Sequence, residues 1–85
     1  MYNIFMKKNI VVEIIGWYGV LAILGAYALL SFGFLNSNSL IYQILNGTGA
    51  LGIAYDAFKD KNYQPAVLNV IWLIIAVIAI INILI

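Results

Sequence analysis

The sequence predicts an all-α membrane protein of three transmembrane helices, at about 11–34, 39–58 and 65–85, joined by short connectors. Three observations lead there. Of the 85 residues 66% are apolar, and only four lysines and three acidic residues carry charge. Such a chain cannot cover itself with polar surface in water, so the lipid bilayer is its expected solvent. The apolar residues fall into three runs, each long enough to cross a hydrocarbon core of ~30 Å. Between the runs lie Asn36-Ser37-Asn38-Ser39 and Lys59-Asp60-Lys61-Asn62-Tyr63-Gln64, short stretches of turn and cap formers. The length allows one domain, 11–85, behind a short lead, 1–10.

Residues 1–10 can place Tyr2, Ile4, Phe5 and Met6 at the interface and Lys7 and Lys8 among headgroups, although a frayed terminus is the favoured reading. Lys7-Lys8, the apolar run and Ala26-Tyr27-Ala28 also have the pattern of a cleavable signal. The run from Val11 to Phe34 exceeds the ~7–15 residues of a signal core, and Glu13 and Trp17 sit badly in one. A first span is therefore expected.

Helix 1 carries Gly16, Gly19, Ala22, Ala26 and Gly33 near one face, with Gly25 beside them. Small residues let helix backbones approach closely in lipid. Glu13 near its start suits a helix N-terminus within reach of headgroup water.

Helix 2 organises the rest. Ser39, Gln43, Asn46, Gly49, Gly52 or Ile53, and Asp56 recur at steps of three or four and predict one continuous polar and small stripe. Gly47, Gly49 and Gly52 would weaken a helix in water by ~1 kcal/mol each, so close packing on both sides is expected. Helix 3 is expected to begin at Pro65, a favoured first-turn residue. One of its faces carries Ala66, Asn69, Trp72, Ala76, Ala79 and Asn82, and the rest is Ile, Val and Leu.

All four lysines, Lys7, Lys8, Lys59 and Lys61, fall on one side of a three-span topology. The positive-inside rule makes that side cytoplasmic and predicts a multi-pass inner-membrane protein with its N-terminus in and its C-terminus out. Helical rise places Asn46 level with Ala79, Asn69 level with Ala54 and Tyr55, and Trp72 near Leu51 and Gly52. Trp72 is thus expected to fill space left by the glycines of helix 2.

With no cysteine and no histidine, disulfides, thiolate metal sites, cysteine nucleophiles and the usual neutral-pH proton shuttle are excluded. No phosphate loop or nucleophile–base set occurs, and the three carboxylates all lie near one membrane edge. No catalytic residue, metal or cofactor is expected, and a net charge of +1 points to no nucleic acid. The residues that stand out are Gln43, Asn46, Asn69 and Trp72, for helix packing or a solute path, and Gly16, Gly19, Gly47, Gly49 and Gly52, for close approach. Buried side-chain bonds of this kind average ~0.6 kcal/mol, enough to select one helix register.

Gly16-Trp17, Tyr27-Ala28-Leu29, Tyr42-Gln43-x-Leu45-Asn46-x-x-Gly49-Ala50-x-Gly52 and Pro65-x-x-x-Asn69-x-x-Trp72-x-x-Ile75-Ala76 together resemble the uncharacterised CBU-like family of small bacterial membrane proteins. The resemblance covers roughly residues 12–82 and implies three transmembrane helices; it carries over no substrate or catalytic residue. Size and the pair Asn69 and Trp72 also give a looser likeness to SemiSWEET-type half-transporters. That family's Pro-Gln signature is absent, the order here being Gln64-Pro65, and helix 1 has no proline hinge.

Three helices leave small and polar faces uncovered, so self-association or docking on a larger membrane protein is expected. The first functional expectation is a structural or accessory membrane protein. The alternative is a homodimeric half-transporter for a small neutral solute of unknown identity.

Overall fold

A computed structural model describes residues 9–85. It is all-helical, with α1 at Ile10–Ser31, α2 at Leu40–Lys59 and α3 at Tyr63–Leu84. The lead falls largely outside the described residues, except Asn9 and Ile10, which open α1. The Asn9 side chain accepts a hydrogen bond from the Val11 N–H at 2.7 Å and caps the helix. Ser39 caps α2 by accepting from the Tyr42 N–H at 3.3 Å.

Two expected boundaries move for local reasons. Helix 1 stops at Ser31, short of Phe34, because Gly33 takes a left-handed φ of 86°. The Gly33 N–H then bonds the Leu30 carbonyl at 3.1 Å and the Phe34 N–H bonds the Leu29 carbonyl at 2.9 Å, which satisfies carbonyls at the helix end. Gly33 is therefore a helix stop and leaves the packing face on which it was expected. Lys61 repeats this geometry after α2 with φ 56°, its N–H bonding Phe58 and that of Asn62 bonding Ala57. Helix 3 opens at Tyr63, two residues before Pro65. Pro65 still lies in the first turn, where its missing N–H has no intrahelical partner to lose.

α2 packs against both neighbours, and no Cα of α1 comes within 8 Å of one in α3. The expected single stripe on α2 divides into two faces. Gly49 and Gly52 meet α1: a Cβ on Gly49 would lie 2.8 Å from Ile23 Cγ1 and 3.0 Å from the Gly19 carbonyl, and one on Gly52 would lie 2.7 Å from the Ile15 carbonyl. Gly16 lies against the Asp56 side chain of α2. Gly47 turns to α3, where its Cβ would sit 3.4 Å from Ala76. Gly25 has open space around it and takes no part in the contact.

The interior is consequently made of small residues. Among the described residues the buried apolar side chains are Val12 and alanines, joined by glycines and by Asn46 and Asn69. Large side chains such as Trp17, Leu24 and Ile75 are about 60% exposed, at 61%, 60% and 58%. A water-soluble domain buries such residues. α1 and α3, 22 residues each, are long and apolar enough to cross a membrane, and most of each surface is exposed. α2 does not meet that measure; it carries Gln43, Asn46, Thr48, Asp56 and Lys59.

Candidate functional site: the cleft between α2 and α3

The first connector folds back on α2 before the cleft begins. Asn36 accepts from the Asn38 N–H through its side chain at 3.0 Å and from the Ser39 N–H through its carbonyl at 2.9 Å. The Gln43 amide donates to the Ser37 carbonyl at 2.8 Å, tying the connector to the first turn of α2. One turn deeper, Asn46 is 6% exposed. Its amide nitrogen donates to the Tyr42 carbonyl at 3.0 Å, and its oxygen accepts from the Trp72 indole N–H at 3.2 Å. The two bonds agree on the orientation of the amide. Trp72 has only a donor to offer, so a flipped Asn46 would set N–H against N–H.

Gln43, Asn46 and Trp72 thus meet in one cleft, lined also by Ser37, Tyr42 and Ala76, with a volume of about 240 Å³. That is below the usual ~300–1,000 Å³ of small-molecule sites. It contains no charged side chain.

Asn69 does not join them. Its amide donates to the Pro65 carbonyl at 2.8 Å, one turn back on its own helix. As expected from helical rise, the two buried asparagines do not bond each other. The expected role of Trp72 is corrected. Its indole bonds Asn46, and the space at Gly49 and Gly52 is filled by α1 rather than by Trp72. A Cβ on Gly47 would meet Ala76, so Trp72, four residues earlier in α3, keeps the level of Leu51 that helical rise expects. The indole and the carboxamide bridge the remaining distance of about one turn to Asn46.

A second polar contact lies between α1 and α2 and was not expected. Tyr18 and Thr48 hydroxyls are 2.7 Å apart, and Thr48 Oγ1 donates to the Ile44 carbonyl at 2.7 Å. Thr48 has one hydroxyl proton, so the Tyr18 O–H is the donor between the helices. The signal was present as a polar-tipped side chain on each of two packed helices, but pairing them requires the register.

Fold and cleft define a class: a small all-helical protein with a small-residue interior and two helices able to cross a membrane. A family model matches residues 12–85, and the chain belongs to that family, the uncharacterised CBU-like proteins that its motifs resemble. No curated protein and no solved structure matches the chain.

Proposed function

We propose that the chain is a three-span inner-membrane protein with a structural or accessory role, which self-associates or docks on a larger membrane protein. One observation carries this reading: Gln43, Asn46, Asn69 and Trp72 each form a hydrogen bond inside the chain. Trp72 and Asn46 tie α3 to α2, Gln43 ties the connector to α2, and Asn69 is satisfied within α3, so these side chains support a packing role over a vacant solute path. The exposed large apolar residues and the interior of glycine and alanine support a lipid surround. α2 crosses as well in this reading, since α1 and α3 flank it and its buried amides have partners. The four lysines support an N-in, C-out topology. The role is non-enzymatic in this reading, supported by a composition without histidine or cysteine.

The cleft at Gln43, Asn46 and Trp72 supports a second reading, a homodimeric half-transporter for a small neutral solute. The volume suits half of a site that a second copy would complete. Oligomeric state in nanodiscs, combined with cysteine-scanning water accessibility along α2 and α3, separates the two. A dry line through Asn46 and Asn69 is expected. A symmetric dimer with a wet line there would replace the structural reading with the transport one.

A further inference from the structure

α1 and α2 leave an outward groove beside their closest approach. Gly52 lines its floor, where a Cβ would collide with the Ile15 carbonyl. Ile14 and Tyr18 wall one side, Leu51 and Tyr55 the other, and the Tyr18–Thr48 pair closes the deep end. The groove is almost wholly apolar and holds about 480 Å³. At its other end stands Lys59, one turn beyond Tyr55 on the same face, with Nζ 5.4 Å from the Tyr55 ring centroid.

We propose that this groove holds an acyl chain of an anionic phospholipid whose phosphate pairs with the Lys59 ammonium; the proposal rests on the membrane reading above. Two features select this occupant. The first is charge: a cation stands at the mouth of an apolar slot. The Asp56 carboxylate, in the same turn as Lys59, lies against Gly16 of α1. The second is length. From Thr48 to Lys59 the helix rises about 16 Å, close to half of the ~30 Å hydrocarbon core. Groove and lysine therefore match one leaflet, with the charge at headgroup depth and the Tyr18–Thr48 pair near the midplane. A protein partner would not require that match.

The test uses the full chain in nanodiscs of equal phosphatidylglycerol and phosphatidylcholine with identical acyl chains. Lipids retained after mild release are counted by native mass spectrometry. Wild type is expected to retain phosphatidylglycerol about fivefold over phosphatidylcholine, the effect of one lysine near an anionic surface. K59Q should equalise the two. Ile14→Trp, at a position 61% exposed, fills the groove and should lower retention of both. Circular dichroism checks that both variants stay helical. Equal retention by wild type overturns the proposal, as does a preference that K59Q leaves unchanged. Retention that Ile14→Trp does not lower assigns the lipid to surface charge and overturns the groove. Each of these results leaves the membrane reading standing, whereas a chain that does not enter the nanodisc overturns both.

Discussion

The indole N–H of Trp72 donates to the side-chain oxygen of Asn46 at 3.2 Å, and the same amide donates to the Tyr42 carbonyl at 3.0 Å. One buried carboxamide thereby holds α3 to α2 and satisfies a carbonyl of its own helix. A double-mutant cycle with Asn46→Leu and Trp72→Phe should return a coupling of ~0.6–1.7 kcal/mol, the range for such bonds in membrane proteins. Reversible unfolding in bicelles measures it. Strict additivity of the two substitutions would show that the bond contributes nothing to register.

The glycines of α1 offer a paired comparison within one helix. Gly19 has no space for a methyl group against the Gly49 carbonyl, whereas Gly25 has nothing within 4 Å. Gly19→Ala should destabilise by ~1–3 kcal/mol through overpacking. Gly25→Ala should stabilise by up to ~1 kcal/mol through helix propensity. Unfolding titrations of both variants check the sign, and equal effects would mean that α1 and α2 are not in this contact.

Lys61 holds a left-handed conformation that glycine adopts without strain. Lys61→Gly should raise stability by ~1 kcal/mol, and Gly33→Ala, at the equivalent stop of α1, should lower it by ~1–2 kcal/mol. Thermal unfolding by circular dichroism reads both. A loss of stability in Lys61→Gly would argue against this end of α2.

Tyr18→Phe removes the donor of the α1–α2 hydroxyl pair and leaves Thr48 bonded to Ile44. The loss should be small, ~0.6 kcal/mol. In Thr48→Val, the Tyr18 substitution should then have no further effect, because the acceptor is already gone. The same unfolding assay, applied to both backgrounds, decides it.

Much of the helix plan is legible in the chain. Ser39 at the start of α2 and the polar connectors mark boundaries through local chemistry that acts wherever the chain goes. The small residues of α2 likewise announce a helix packed on both sides, and α2 does lie between the other two. Three details were not legible. The stop at Gly33 depends on one backbone angle, and glycine is equally at home inside a close helix contact. Tyr63 and Gln64 join α3 although their composition is that of a connector. The division of the α2 stripe between two partners depends on where α1 and α3 sit around its axis.

The sequence by itself therefore determined an all-helical chain, its three segments and the residues too small or too polar to be incidental. These follow from composition and period, which act over a few residues. Only the tertiary structure decided that Asn46 serves Trp72, that Asn69 stays within its own helix, and that Gly49 and Gly52 belong to α1. Those pairings depend on the axial offset and rotation of one helix against another. A shift of one turn changes every partner while leaving each segment equally helical and equally apolar.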